Sequence, residues 1–210
     1  GLGLLKADRQ VNSYHVLIGE ADVTNTCLET DIPGLAAMPS GTDLAGAEIE
    51  LVDVEDRLHR LKAAMAGQLA QYDYVLIDCP PALGLLTVNA LIAADAVLVP
   101  LQCEFFALEG ISQLVSTINR VRNAYNPTLD IQGIVLTMYD TRNRLSSMVA
   151  NDVRGHLGHL VYDTVIPRNV RVSEAPSFGQ PVLMYDLKCP GSKAYAALAA
   201  EVLTQERHTA

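Results

Sequence analysis

No stretch of this chain approaches the ~20 consecutive apolar residues that a membrane-spanning helix needs, although 50% of its 210 residues are hydrophobic. Cys27, Cys79, Cys103 and Cys189 form no Cys-x-x-Cys pair and have no histidine at ligand spacing. That argues against a structural zinc site and fits a reducing, cytoplasmic setting. His156 and His159 lack a third ligand and are expected on one face of a helix. No Gly-x-Gly-x-x-Gly follows an apolar run, which argues against a dinucleotide-binding Rossmann site, and no Gly-x-Ser-x-Gly elbow points to an α/β-hydrolase. A Gly-x-x-x-x-Gly-Lys-Ser/Thr phosphate loop is also absent; Lys6, Lys62, Lys188 and Lys193 stand in no such loop. The opening residues Gly1–Leu5 have no basic region ahead of them and no cleavage pattern after them, unlike a signal peptide, and the first residue is not Met.

What is present is acidic on balance. The net charge of -9 disfavours a passive nucleic-acid binder when the chain is taken whole. The charge is unevenly spread, however: residues 1–119 carry five Lys/Arg against sixteen Asp/Glu, and residues 120–210 carry ten against eight. Such an asymmetry can accompany a local polyanion-binding face in the second half.

Apolar runs alternate with helical patterns along the chain. Residues 12–20 read as a short helix, 35–38 as a short strand, and 42–52 as a helix capped by Thr42 or Asp43. Leu58, Leu61, Met65 and Leu69 recur at spacings of three or four, predicting an amphipathic helix over 54–71. Strands are expected at 74–78, 96–101 (stopped by Pro100), 131–138 and 161–166 (stopped by Pro167). Helices are expected around 85–94, 105–125, 145–157 and 191–205, with a brief extended piece at 181–184. Strands alternating with helices mean βαβ units. The fold class is therefore α/β: a doubly wound, mostly parallel sheet with helices on both faces, in a single domain spanning residues 1–210.

The chain is organised around Tyr74-Val75-Leu76-Ile77-Asp78-Cys79-Pro80-Pro81. An unbroken apolar run suits a strand buried on both faces of a parallel sheet, and the prolines force a turn that leaves Asp78 at its carboxyl end. Open α/β sheets place their ligand crevice there. A carboxylate so placed can hold Mg²⁺ beside a phosphate, as in P-loop NTPases; alternatively it caps the turn or helix that follows. Three further strand ends join that rim: 100–104, 137–140 and 167–169. Together they line it with carboxylates, amides and an Arg suited to a nucleotide and its metal.

Several stretches resemble one family throughout, the ParA/Soj-type chromosome- and plasmid-partitioning ATPases, deviant P-loop proteins related to MinD. They are Leu44–Leu51, Tyr72–Gly84 with Asp78-Cys79-Pro80-Pro81, Leu85–Leu91, Pro100–Glu104, Ala107–Gly110 and Ile166–Pro176. The last, Ile-Pro-Arg-Asn-Val-Arg-Val-Ser-Glu-Ala-Pro, is highly specific, and the resemblance covers nearly the whole chain. In that family a first strand, a Lys-bearing loop, its helix and a second strand precede the position of Gly1. These would occupy roughly 50 residues. The resemblance thus implies a P-loop NTPase-like domain that lacks its first strand and P-loop, incomplete at its N-terminus.

By matching position, Asp78 looks like the acid that helps to hold Mg²⁺ and is the catalytic candidate, while the loop from Cys79 to Gly84 looks like the switch that senses the γ-phosphate. Pro80, Met138, Pro167, Arg168 and Asn169 resemble nucleotide-binding positions, with ATP and Mg²⁺ as cofactors. Arg142 and Arg171 match positions that bind nucleoid DNA without sequence preference; the alternative is that they are surface arginines in i,i+3 pairs or solvated loops. The implied function is ATP-dependent homodimerisation and DNA binding, with hydrolysis stimulated by a centromere-binding ParB-type partner, in a cytoplasmic, nucleoid-associated protein. Residues 1–210 alone, lacking the phosphate loop, would not turn over ATP. A MinD-like membrane-cycling ATPase needs a basic amphipathic tail, which residues 205–210 do not offer. A P-loop-less binding module of the same fold is the remaining alternative.

Overall fold

A computed structural model of the protein describes residues 2–4, 10–80 and 84–209. The described residues fall into two compact units: those within 3–95 together with 117–129, and residue 2 with 96–116 and 130–209.

The first unit begins with α1 (Ser13–Ile18), fixed at both ends by local chemistry. The Asn12 side chain accepts from the Tyr14 amide at 2.8 Å and the Asn12 amide donates to His15 Nδ1, a capping box. Gly19, at φ 88°, closes the helix in the left-handed conformation that suits glycine. After α2 (Val23–Thr26), β1 (Leu28–Glu29) pairs antiparallel with β2 (Ala36–Ala37), which narrows the expected strand at 35–38 to two residues. Asp43 occupies the N-cap position of α3 (Leu44–Glu50), but its carboxylate accepts from Asn12 Nδ2 at 3.0 Å and does not cap the helix.

The expected helix over 54–71 is corrected to a single short element, α4 (Arg60–Met65), preceded by turns. The cause lies 28 residues downstream, in α5 (Leu85–Ala93). In a continuous helix the Leu61 amide would donate to the Arg57 carbonyl. Here the buried carboxamide of Asn89 stands between them: the Leu61 amide donates to its Oδ1 at 3.1 Å, and its Nδ2 donates to the Arg57 carbonyl at 2.9 Å. Asp56, at φ 58°, turns the chain in the same stretch. At the other end of α5 the buried Asn126 donates to the carbonyls of Leu91 and Ala94 at 3.0 and 2.8 Å, satisfying groups the helix leaves open.

The strand expected at 74–78 is also corrected. These residues join no ladder among the described residues, and Tyr74, Val75 and Leu76 are 53%, 45% and 88% exposed. An apolar run becomes a buried strand only when other strands pair along its edges. The ladder strands described here pair with one another and leave this run out.

The second unit is a parallel sheet in the order β3-β4-β5, formed by β3 (Ala96–Gln102), β4 (Asp130–Tyr139) and β5 (Val161–Pro167). Pro100 does not stop β3, as expected from sequence, but lies inside it opposite Val135. Because β3 pairs only with β4 among the described residues, one of its edges needs no amide from Pro100. Helix α6 (Ala107–Ala124) follows β3, and α7 (Arg144–Leu157) joins β4 to β5. Ile134 and Leu136 of β4 share a buried cluster with Ala107 and Ile111 of α6 and Val149, Ala150 and Val153 of α7. Val135, pointing the other way, packs with Tyr162, Ile166 and Leu198, the last from α10 (Pro190–Thr209). The period-two alternation of β4 thus puts helices on both faces, as expected for a doubly wound sheet. Between β5 and α10 the chain forms α8 (Val170–Glu174) and α9 (Val182–Tyr185), so the extended piece expected at 181–184 is a helical turn. The four cysteines are free. His156 lies in α7 and His159 in the 3-10 turn after it, and the described residues contain no cluster of three or more His, Cys, Asp or Glu able to hold a metal.

β5 is irregular where its register slips: Ile134 pairs with Val161 and Leu136 with Val165, setting four residues against two. A bulge of this kind takes backbone groups out of the ladder. The Glu201 carboxylate of α10 accepts from the Asp163 and Thr164 amides at 2.7 and 3.0 Å, and Arg154 Nη2 donates to the Tyr162 carbonyl at 2.9 Å. Burial pushes the Glu201 carboxyl up, but the hydrogen bonds from Thr164 and Asp163 and the charge of Arg154 outweigh it and hold its pKa below the usual glutamate value. Its stabilising contribution is therefore fully present above the unfolded glutamate pKa of about 4.3 and is lost as pH falls through the lowered folded value. The urea midpoint of Glu201→Gln should lie below that of the parent at neutral pH, and the two should converge in strong acid. A gap of equal size at both extremes would refute this role.

Candidate functional site

The parallel pairing of the second unit brings the carboxyl ends of β3, β4 and β5 side by side. Gln102 stands opposite Thr137, and Tyr139 opposite Pro167. The Cys103 amide donates to the Thr137 carbonyl at 3.1 Å and the Arg168 amide to the Tyr139 carbonyl at 2.9 Å, so the pairing continues past the strands into the loops. Three of the four strand ends expected at one rim are therefore neighbours. Met138, Pro167, Arg168 and Asn169 lie at this edge, together with Arg142 and Arg171 in the loops and turns that leave it.

Met138 has φ 52° at the end of β4 and is 38% exposed. A non-glycine residue held in the left-handed region is strained, at a cost on the order of 1 kcal/mol, and such strain clusters at ligand sites. The turn after it is built by Asp140. Its Oδ1 accepts from the Arg142 amide and Arg142 Nε, both at 3.0 Å, and its Oδ2 from Arg142 Nη2 at 2.8 Å. The Arg142 hydrogen bonds, with the nearby charge of Arg168, hold the Asp140 carboxyl at about 2. Asn143 then caps α7 by accepting from the Leu145 amide at 3.0 Å. Asn169 does the same for α8, accepting from the Arg171 amide at 2.9 Å, so its Oδ1 is engaged in the fold. Arg168 is exposed and Pro167 half-buried. Arg171 forms the i,i+3 pair with Glu174 at 2.9 Å and also faces Asp186 at 3.6 Å.

Asp78 and Pro80 belong to the first unit. Asp78 is exposed and has no hydrogen-bond or ion-pair partner among the described residues. It does not cap α5, whose N-cap is Gly84; the Leu86 amide in the first turn donates to Glu48 Oε1 at 3.4 Å. Asp78 therefore does not cap this helix, while the turn it was alternatively expected to cap lies outside the described residues. The Pro80 carbonyl accepts from Thr87 Oγ1 at 3.4 Å. Pro81, Ala82 and Leu83, and with them half of the expected switch loop, lie outside the described residues.

One carboxylate with no cluster around it among the described residues does not make a self-sufficient metal cage. It does fit Mg²⁺, which commonly takes one or two carboxylates and completes its shell with water and substrate phosphates. Sequence reasoning missed Asn89 and the Asp140 partner of Arg142, whereas the i,i+3 pairing weighed as the alternative for the arginines is present at Arg171, with Glu174. The Asp140-Thr-Arg142 and Arg171-x-x-Glu174 spacings were the available signals for the pairs; Asn89 had none, because its partners are remote in sequence.

A family model described as an AAA domain (AAA_31) matches residues 1–131. The chromosome partitioning protein ParA of Caulobacter vibrioides is 60% identical over 209 residues, covering 99% of this chain and 78% of that protein. The sporulation initiation inhibitor protein Soj of Bacillus subtilis is 48% identical over 202 residues, covering 96% of this chain and 80% of that protein. Among solved structures, the cobyrinic acid a,c-diamide synthase of Mycobacterium smegmatis, with bound ATP analog and magnesium, is similar at a TM-score of 0.83 and 35% identity, covering 100% of this chain and 78% of that one. The α/β, P-loop NTPase-like fold and the motifs quoted above agree with these likenesses, and the chain belongs to the ParA/Soj-type partitioning ATPases.

Proposed function

We propose that this protein is an ATP-hydrolysing partition protein of a chromosome or plasmid, which binds nucleoid DNA as an ATP-dependent homodimer and is released when a ParB-type partner stimulates hydrolysis. The observation that carries this reading is the 60% identity to the Caulobacter protein along 99% of the chain. In this reading Asp78 helps to hold Mg²⁺, and the edge formed by Met138, Pro167, Arg168 and Asn169 borders the nucleotide. Bound Mg²⁺ neutralises charge that develops on the transferring phosphoryl group. A phosphate-binding loop is required as well, and residues 1–210 contain none of the Gly-x-x-x-x-Gly-Lys-Ser/Thr form.

Arg142 and Arg171 contact DNA phosphates in this reading, which makes binding independent of sequence and dependent on salt. Arg171→Ala should weaken binding of unrelated duplexes to the same degree and reduce the slope of log affinity against log salt by about one. The test is fluorescence anisotropy of labelled duplexes across a salt series, with ATP and Mg²⁺ present. A slope unchanged from the parent's would remove Arg171 from the interface. A protein that binds DNA equally well with and without ATP would favour a non-catalytic binding module.

A further inference from the structure

Both arginines put forward as phosphate contacts are already held by carboxylates of their own unit. Asp140 grips Arg142 through two oxygens, at 3.0 Å to Nε and 2.8 Å to Nη2. The Arg142 side chain is 86% exposed and that of Asp140 only 20%, so the acid lies under a guanidinium that faces solvent. Arg171 is held less completely: its Nη1 donates to Glu174 Oε2 at 2.9 Å, its Nε faces Asp186 Oδ2 at 3.6 Å, beyond hydrogen-bond distance, and the Tyr185 hydroxyl donates to Glu174 Oε2 at 3.3 Å. A guanidinium fork receives carboxylate and phosphate in the same two-pronged geometry. A phosphate that seeks the Nε and Nη2 donors of Arg142 therefore meets them occupied.

We propose that Asp140, and Glu174 together with Asp186, are built-in competitors of DNA phosphate: an autoinhibitory contact that holds Arg142 and Arg171 until a polyanion displaces the carboxylate. This rests on the reading that the two arginines contact DNA. Displacement exchanges one ion pair for another, so each competitor lowers affinity without abolishing it. It also sets a threshold that a surface dense in phosphate overcomes more readily than an isolated anion. Because Arg142 holds the Asp140 carboxyl well below the usual carboxylate range, the acid stays ionised near neutrality and protonation does not release the arginine there.

Asp140→Asn retains an oxygen that can accept from the Arg142 amide, preserving the turn while removing the charge. Binding of a labelled DNA duplex of random sequence by the full chain, with ATP and Mg²⁺, should tighten about three- to fivefold. Asp152→Asn, two turns along α7 from Arg144, makes the same change in net charge and should tighten it less. The excess should vanish in an Arg142→Ala background, and Glu174→Gln should reproduce the effect through Arg171. If Asp140→Asn and Glu174→Gln bind no more tightly than Asp152→Asn while Arg142→Ala still weakens binding, the autoinhibitory role is wrong and the DNA reading stands. If Arg142→Ala leaves affinity and salt slope unchanged, the DNA contact itself fails at this residue and the inference falls with it.

Discussion

Asp78→Asn is expected to lower Mg²⁺-dependent ATP turnover by about 100-fold or more while leaving the melting temperature within about 2 °C of the parent's. The two readouts separate the roles that the sequence left open. A carboxylate that caps a helix would be missed chiefly in stability, at about 1 kcal/mol, and little in turnover. Asp78 is exposed, has no hydrogen-bond or ion-pair partner among the described residues, and is not the N-cap of α5, which is Gly84. Asn keeps the shape and removes the charge that attracts the ion, so the loss should be in chemistry. Phosphate release at saturating ATP and Mg²⁺, followed beside thermal melting of the same preparation, decides the matter. Turnover within about threefold of the parent's would end the metal-holding role.

Gly133→Ala is expected to destabilise the second unit by about 1–3 kcal/mol. A Cβ added at Gly133 would lie 2.8 Å from Cζ and 3.1 Å from Cδ2 of Tyr162, and closer still to Cε2. The ring has little room to retreat. Tyr162 is 1% exposed, packs with Val135, Ile166 and Leu198, and its hydroxyl reaches the Gln132 carbonyl at 3.4 Å. It also sits at the bulge whose backbone groups are taken by Glu201 and Arg154. Either the ring leaves its position or β4 shifts away from β5. Thermal or urea unfolding measures the loss, and Tyr162→Leu in the Gly133→Ala background should recover part of it, so that the two costs are not additive. A Gly133→Ala protein as stable as the parent would mean that the contact relaxes freely.

The elements that could be placed from sequence are those whose pattern is complete within the element. Strands β3, β4 and β5 are dense apolar runs, and α6 and α7 carry an apolar stripe. Asn12 and Gly19 bracket α1 with a cap at each end. Family membership was legible for a related reason: motifs such as Ile166–Pro176 and Asp78–Pro80 are local strings, and the likeness to the Caulobacter and Bacillus proteins agrees with them.

The sequence by itself thus determined the family, the alternation of strands and helices, and the parallel sheet with helices on both faces. Only the tertiary structure decided what depended on groups remote along the chain. The 54–71 pattern has the spacing of a helix, but a carboxamide 28 residues away intercepts the hydrogen bond that would have continued it. The 74–78 run has the composition of a buried strand, but composition supplies no neighbour, and without one Leu76 stays in solvent. The i,i+3 spacing of Arg171 and Glu174 is visible in a sequence, but only the fold sets Asp186 beside Arg171 and closes the Asp140 carboxylate on Arg142. Periodicity records what a segment could bury. Pairing, interception and charge neutralisation are set by which side chains arrive at the same place.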